Sequence, residues 1–210
     1  MLILIACEFS GTVRDAFRAQ GHNAWSCDIL PPEIGATGLA HIYHFQGDVR
    51  RILDGHIPAD MVKDSAYRGT PGFLKWDLMI AHPPCTHLAV SGARWFKDKL
   101  PEQAEAIRFA ETLWGADIPR IAIENPVSIL STRSILGRPA QIIQPWQFGH
   151  GETKATCLWL KGLPKLVPTD IVSGREARIH KMAPSPDRWK ERSKTYQGIA
   201  DAMAQQWGTT

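Results

Sequence analysis

The chain has 210 residues, 44% of them hydrophobic and 21% charged, and a formal net charge of +3. This length and composition predict one globular domain and argue against a collagen, a coiled coil or a disordered chain. The longest apolar stretches are short, such as residues 2–7, so we expect no segment that spans a membrane. No basic region precedes that stretch and the four cysteines are scattered, which favours a cytoplasmic protein with reduced thiols.

Strand and helix patterns alternate along the chain. Apolar strand patterns occupy residues 2–6, 23–27, 43–46, 76–81, 120–123, 140–143 and 156–160. Helical spacing runs from residue 12 to Gly21, over 101–114 and over 199–207, whereas residues 54–75 have the Gly, Pro and charge of a surface excursion. The alternation predicts an α/β fold with a parallel, doubly wound sheet, which places ligands beyond the carboxyl ends of its strands.

Polar residues follow four of the predicted strands, namely Asp28, Asp48, Cys85 and Glu124. An acid in the position of Asp28 commonly binds the ribose hydroxyls of an adenosine-type cofactor. A local role in a turn or cap is the alternative for Asp28 and Asp48. The turn after the first strand, with Gly11 beside a helix N-terminus that offers free N–H groups, is similar to a nucleotide-binding crossing. It lacks the G-x-G-x-x-G pattern, and a purely structural glycine is the alternative there.

Cys85 is the sharpest chemical feature. It follows Pro83-Pro84 at the end of a predicted strand, where a thiolate is placed to act as a nucleophile. The alternative is a small buried apolar side chain, the role we expect for the other cysteines, Cys7, Cys27 and Cys157. His82 and His87 flank Cys85, but neither an H-x-E nor a P-C-x-x-C pattern accompanies them, so we expect no metal site.

Glu124 ends the strand pattern at 120–123, within Glu124-Asn125-Pro126. A carboxyl group beside the cysteine could donate or accept a proton while a thiolate attacks a ring. A solvent-facing or capping side chain is the alternative for Glu124. Together with Cys85, it suggests chemistry on an electrophilic heterocycle.

Five short motifs resemble, in order along the chain, those of the cytosine C5 DNA methyltransferases. They are Phe9-Ser10-Gly11, Pro83-Pro84-Cys85, Glu124-Asn125-Pro126, Phe148-Gly149-x-x-Glu152-x-Lys154-x-Thr156 and Tyr196-Gln197-Gly198-Ile199-Ala200. The family carries F-x-G, P-C-Q, E-N-V, Y-G-x-x-Q-x-R-x-R and G-N-hydrophobic at the corresponding positions. The ordered set spans nearly the whole chain and is similar to small phage-encoded members of the family.

This resemblance implies a Rossmann-like methyltransferase fold, S-adenosylmethionine (SAM) as methyl donor, and DNA as partner. It makes Cys85 the nucleophile that adds to cytosine C6 and Glu124 the group that holds N3 and the exocyclic amine. Lys154 stands at one of the family's arginine positions and completes the implied catalytic set. The implied cofactor-binding residues are Phe9 and Gly11 at the methionine and adenosine, Asp28 at the ribose, Asp48 at the adenine amine and Pro84 near the adenine. On duplex DNA, the base would have to leave the stack to reach Cys85.

Several positions depart from the family's pattern. The replacements are Thr86 for Gln, Pro126 for Val, Glu152 for Gln, Lys154 and Thr156 for two arginines, and Ile199 for Asn. The two arginine positions matter most, because they belong to contacts that hold the base and the catalytic carboxylate. A lysine keeps one positive charge there but lacks the planar guanidinium.

The space for a target-recognition domain is small. The family places a large domain where this chain has only residues 157–195, which include a basic segment at about 170–195. Within it, residues 175–194 carry seven basic and three acidic side chains, a pattern that favours a polyanionic partner or else a solvated loop. Because phosphate contacts position DNA without reading its sequence, we expect low or relaxed specificity from a single domain spanning 1–210. The alternatives are pyrimidine modification on a cytosine nucleotide or single strand, and a non-catalytic DNA-binding relative.

Overall fold

The computed structural model of the protein describes residues 1–33, 42–56 and 75–209. The surface excursion predicted over 54–75 lies almost entirely outside these ranges. Within them one sheet contains the strands β1 (Leu2–Ala6), β2 (Asn23–Asp28), β3 (His44–Gln46), β4 (Leu78–Ala81), β5 (Ile121–Pro126), β6 (Gln141–Ile143) and β7 (Thr156–Lys161). Every predicted strand therefore has a counterpart that differs by no more than three residues at either end.

The helices vary greatly in length. The α-helices are α1 (Thr12–Ala19), α2 (Val49–Leu53), α3 (Leu100–Trp114), α4 (Leu130–Arg133), α5 (Arg178–Lys181), α6 (Arg188–Ser193) and α7 (Gln197–Trp207), with 3₁₀ helices at Val90–Asp98 and Pro145–Gln147. The three longest α-helices were predicted, whereas helices of four to six residues are too short to display a helical period. No helix in the described ranges has the length and apolar character needed to cross a bilayer.

The sheet has the strand order β3-β2-β1-β4-β5-β7-β6. The strands from β1 to β5 run parallel, with Ala6 level with Ala81 and Ala81 level with Ile123. β7 runs antiparallel to both of its neighbours, β5 and β6. The mostly parallel α/β sheet is thus confirmed, and the direction of strand order switches between β1 and β4. In open α/β sheets, ligands bind at the carboxyl edge beside such a switch point.

Helices cover both faces of the sheet. Ile3 and Ile5 of β1 are fully buried in a cluster that includes side chains of α1 and α7. Leu4, between them, belongs to the cluster on the other face, with side chains of α2 and α3. This follows from the alternation of side chains along a strand, and it explains why these strands are continuous apolar runs.

The first turn of α7 packs closely against the loop between β6 and β7. A Cβ on Gly198 would overlap the carbonyl oxygen of Phe148, and the Gly198 N–H donates to His150 Nε2 at 3.0 Å. Farther along α7, Met203 and Trp207 are fully buried in the cluster shared with α1. The close approach therefore fixes the loop that carries residues 148–156 at the carboxyl edge of the sheet.

We expect Gly198→Ala to lower the free energy of unfolding by about 1–3 kcal/mol, the usual range for overpacking a tight contact. The neighbour that the new methyl group meets is backbone, which cannot rotate away. Thermal unfolding should then occur about 2–10 °C lower in a domain of this size. Gly92→Ala is the matched control, because nothing lies within 4 Å of a Cβ at that position. Equal unfolding temperatures for the two variants would contradict this packing.

Candidate active site

Three parallel strands deliver the candidate side chains to one edge of the sheet. The level pairing of β1, β4 and β5 brings residues 7–11 after β1 and 82–85 after β4 to the same edge as the last three residues of β5, 124–126. The alignment continues past the strands, since the His82 N–H donates to the Ala6 carbonyl at 2.9 Å. At this edge of the sheet, Cys85 lies in the turn after β4 and Glu124 lies in the last half of β5.

The cysteine turn is tied to β5 by a buried amide. Asn125 Nδ2 donates to the Pro83 carbonyl oxygen at 2.8 Å, which holds the two prolines before Cys85. The Cys85 carbonyl then accepts from the N–H groups of Leu88 and Ala89, at 3.0 and 2.9 Å, and closes the turn. Cys85 itself is exposed. This geometry presents the thiol at the edge of the sheet on a turn fixed on both sides.

The other cysteines differ from Cys85. Cys27 and Cys157 are each 1% exposed. Burial raises the pKa of Cys27 to about 12 and that of Cys157 to about 11, so both stay protonated at neutral pH. Cys7 is half-buried, and burial raises its pKa as well. These environments agree with the packing role that we expected.

The Glu124 carboxylate is held by a histidine. His82 Nδ1 lies 2.7 Å from Glu124 Oε2, and the two side chains are 9% and 10% exposed. Burial alone would raise the pKa of Glu124, but the hydrogen bond and the charge of His82, together with Lys154, outweigh it and lower that pKa. Burial likewise opposes the charged form of His82, yet the hydrogen bond and the charges of Glu124 and Glu8 raise its pKa. The site therefore contains a buried, hydrogen-bonded carboxylate–imidazole pair.

Sequence reasoning considered His82 only as a metal ligand. In the described part of the chain, no group of three His, Cys, Asp or Glu side chains could hold a metal ion. His82 instead makes a hydrogen-bonding contact with Glu124. Its position directly before Pro83-Pro84-Cys85 was the available signal, although its partner lies 42 residues away along the chain.

The Cys85 thiol resists ionisation. Desolvation raises its pKa, the negative charge of Glu124 raises it further, and the positive charges of Lys154 and Arg192 act in the opposite direction. Lys154 Nζ also donates to the Lys194 carbonyl oxygen at 3.1 Å, which fixes its ammonium group near the pair. Thr156, at the second arginine position, is buried and donates to the Lys154 carbonyl oxygen at 3.1 Å. Lys154 therefore acts on the site through charge, whereas Thr156 has a local structural contact.

The first turn is built around Glu8. Its carboxylate accepts from the N–H groups of Val13 at 2.7 Å and Arg14 at 3.2 Å, so it caps α1. The helix N-terminus was expected to offer free N–H groups to a ligand, and this expectation is wrong for these two groups. Gly11 has a left-handed φ of 75°, and a Cβ there would overlap the buried Arg14 guanidinium. The glycine is therefore required by the packing of α1 itself.

The two acids near the predicted adenosine subsite have local partners. Asp28 Oδ1 accepts from the Leu30 N–H at 2.9 Å, and burial raises the Asp28 pKa. Asp48 caps α2 by accepting from the Arg50 N–H at 3.0 Å, and its hydrogen bond with the Arg50 side chain lowers its pKa. The Gly47 N–H donates to the Asp28 carbonyl at 2.8 Å and brings the two acids to neighbouring strand ends. The turn and cap roles are thus present, and the acids lie side by side.

The basic segment lies across this edge of the sheet. Glu152 accepts from Arg178 Nε at 2.9 Å and from the Tyr196 hydroxyl at 2.7 Å, while Lys194 Nζ lies 3.0 Å from a Glu33 carboxylate oxygen. Between these anchors, the Trp189 ring is 6.2 Å from the Phe9 ring, and Trp189 is 50% exposed. The segment therefore joins the candidate site instead of forming a separate unit.

No protein-family model matches the chain, and no curated protein matches it.

We expect Glu124→Gln to increase the reactivity of Cys85 toward iodoacetamide several-fold at pH 7.5. Removing the negative charge lowers the thiol pKa, so a larger fraction is thiolate at a pH below that pKa. Lys154→Met should have the opposite effect, since it removes a charge that favours the thiolate. Peptide mass spectrometry resolves Cys85 from the other cysteines. Slower alkylation in Glu124→Gln would contradict the electrostatic arrangement.

Proposed function

We propose that this protein is a SAM-dependent methyltransferase with a Rossmann-like methyltransferase fold that acts on C5 of cytosine in DNA with relaxed sequence specificity. One observation carries the proposal. An exposed cysteine on a fixed turn and a buried, histidine-bound glutamate stand at the ends of adjacent strands, and the charge of the glutamate raises the pKa of the thiol. A thiol nucleophile beside a group that can manage a proton suits attack on a pyrimidine ring.

Three side chains of this protein have separate roles in the proposed reaction. The Cys85 thiolate adds to C6, and Glu124 binds N3 and the exocyclic amine, which draws charge away from the ring. Lys154 provides a positive field that favours both the thiolate and the ionised carboxylate. C5 becomes nucleophilic as a result and would take the methyl group. Its hydrogen is then lost as a proton to water, and the electron pair of the C5–H bond re-forms the C5=C6 bond as Cys85 leaves C6 as a thiolate.

The residues at the ends of β1 to β3 fit an adenosine-type cofactor. They lie at the carboxyl edge beside the switch point, where such sheets bind ligands. Asp28 uses one carboxylate oxygen for the Leu30 N–H, and its second oxygen can accept from ribose hydroxyls. Phe9, Gly11, Asp48 and Pro84 complete the proposed binding set, with Asp48 first exchanging its exposed Arg50 partner. Bound SAM would supply an electrophilic methyl group on its sulfonium sulfur.

The basic segment is the proposed nucleic-acid interface. Arg188, Lys190 and Arg192 lie within three residues of Trp189 in sequence, and Lys190 Nζ is 5.6 Å from the exposed Trp189 ring, which lies beside the Phe9 ring. Cations of this kind bind phosphates, and an exposed aromatic ring offers a platform for an unstacked base. Because neither contact reads base edges, this surface supports relaxed specificity. It also favours the second candidate function, methylation of cytosine in single strands, since their bases are already free to stack on Trp189.

We expect the wild-type protein to transfer tritium from labelled SAM to cytosine-containing DNA and Cys85→Ala to transfer none. With 5-fluorocytosine DNA and SAM, the wild type should form a covalent adduct at Cys85, because fluorine cannot leave C5 as a proton does. Cys7→Ala is the control, since Cys7 is half-buried and lies outside the proposed machinery. Parallel reactions with duplex DNA, single strands and dCMP separate the substrate classes. An absence of label from all three substrates would refute the proposal.

We expect Trp189→Ala to weaken binding of a labelled single-stranded oligonucleotide about 5- to 150-fold, the effect of losing one base stack worth about 1–3 kcal/mol. Trp189→Phe should retain most of the affinity because it keeps an aromatic face. Lys190→Gln should instead reduce the salt dependence of binding, by about 0.7 in the logarithmic slope for single strands. Fluorescence anisotropy at several salt concentrations measures both effects. Unchanged binding by Trp189→Ala would remove Trp189 from the interface.

A further inference from the structure

The imidazole of His82 has one satisfied nitrogen and one unsatisfied nitrogen. Nδ1 lies 2.7 Å from Glu124 Oε2, and because an ionised carboxylate only accepts hydrogen bonds, Nδ1 carries the proton in this contact. Nε2 is buried and has no hydrogen-bond partner among the residues that the structure describes. A buried polar nitrogen without a partner is costly, and in native proteins it calls for a functional explanation.

The charges around His82 favour the protonated ring. Glu124 from β5 and Glu8 from the turn after β1 both favour its cationic form, whereas Lys154, ahead of β7, and burial oppose it. The positive charge of His82 also favours the ionised form of Asp28, at the end of β2. Glu8 is itself held in place by the first N–H groups of α1. Two fixed carboxylates from different elements therefore favour the cationic ring, and one of them, Glu124, is its hydrogen-bond partner.

The proposed contact of Glu124 with cytosine requires a proton that the glutamate alone does not hold. N3 of cytosine accepts hydrogen bonds, and so does an ionised carboxylate, so the two bind each other only with a proton between them. The hydrogen bond to His82 keeps Glu124 ionised in the absence of a substrate. A proton donor behind the glutamate resolves this conflict.

We propose that His82 is that donor: it gives its Nδ1 proton to Glu124, which gives a proton to N3 of the bound cytosine, and the protons return when the product is released. This inference rests on the proposed function and deepens it. His82 touches the glutamate and not the base, so it is a positioning residue that acts through Glu124.

Electrons and protons balance in this scheme. As the bond between Cys85 Sγ and C6 forms, the C5=C6 electron pair moves between C4 and C5, and the C4=N3 pair moves onto N3. His82 Nδ1 gives its proton to the ionised carboxylate of Glu124, and the carboxylic acid so formed gives that same proton to N3, so Glu124 ends ionised and His82 ends neutral. Elimination of Cys85 reverses these shifts, and the ring, the carboxylate and the imidazole regain their starting states.

The addition step can be followed without SAM. Once Cys85 has added to C6, C5 can exchange its hydrogen with water, so an oligonucleotide with [5-³H]cytosine releases tritium. Two conditions set the pH profile, a thiolate at Cys85 and a proton on His82. We expect the wild-type rate to rise with pH and then level off once His82 begins to lose its proton, because further gain in thiolate is cancelled.

His82→Gln is the decisive variant, since its amide can still donate to Glu124 but cannot give up a proton at neutral pH. We expect tritium release to fall about 100-fold or more at pH 7, within the usual contribution of general acid catalysis. The remaining rate should keep rising with pH beyond the point where the wild type levels off. His87→Gln is the matched control, because His87 follows the same turn and no hydrogen bond of its ring to a carboxylate is found in the described residues. It should reproduce the wild-type profile.

The outcomes separate the two proposals. If the wild type neither releases tritium nor methylates any cytosine substrate, the proposed function fails. If the wild type releases tritium and His82→Gln matches its rate and its plateau, His82 has a structural role only and this inference is overturned. Nitrogen-15 NMR of the wild type provides a test that needs no variant. The His82 Nδ1 should carry a proton below the plateau pH, and a deprotonated Nδ1 at pH 6 would also overturn the inference.

Discussion

The parallel pairing of β1, β4 and β5 is the constraint on which the site depends. Because Ala6, Ala81 and Ile123 are level, the carboxyl ends of all three strands lie at the same edge of the sheet. Two further contacts extend this alignment beyond the sheet, from His82 to the Ala6 carbonyl and from Asn125 to the Pro83 carbonyl. Side chains separated by more than 40 residues in sequence thereby come within hydrogen-bond distance.

The free-energy cost of burying a charge explains why His82 and Glu124 are paired and why the thiol of Cys85 is protonated. Breaking a buried ion pair by removing one partner costs about 3–5 kcal/mol, so His82 and Glu124 each depend on the other. Burial raises the pKa of the Cys85 thiol, and the negative charge of Glu124 raises it further, so both favour the protonated thiol. Lys154 and Arg192 provide the opposing positive field, and Lys154 is held in place by the Lys194 carbonyl. A histidine and a lysine thus both favour the ionised form of Glu124.

The basic segment connects the small size of the protein with its proposed selectivity. Contacts from Arg178 to Glu152 and from Lys194 to Glu33 tie the segment to the edge of the sheet. The Trp189 ring of this segment lies beside the Phe9 ring, which follows β1 at the same edge. A surface of this kind binds a charged, partly unstacked strand firmly without distinguishing its bases. This is the physical basis for proposing relaxed specificity.

Most of the sheet and the positions of Cys85 and Glu124 at strand ends could be predicted from the sequence. Strands buried on both faces are continuous apolar runs, and Cys85 and Glu124 stand directly after two of them. The direction of β7 could not be predicted, because an apolar run has no signal for the direction in which it pairs. The helices of four to six residues were missed for a related reason, since they contain less than two turns.

The amino-acid sequence by itself determined which segments are buried and which chemical groups stand at their ends, because hydrophobic period and turn residues are local properties. Only the tertiary structure decided which of those groups meet. It paired His82 with Glu124, used Glu8 to cap α1, and gave Asp28 and Asp48 local partners as well as neighbouring positions. Hydrogen-bond partners and pKa shifts depend on the distances between segments remote in sequence, and those distances are set by the folded sheet.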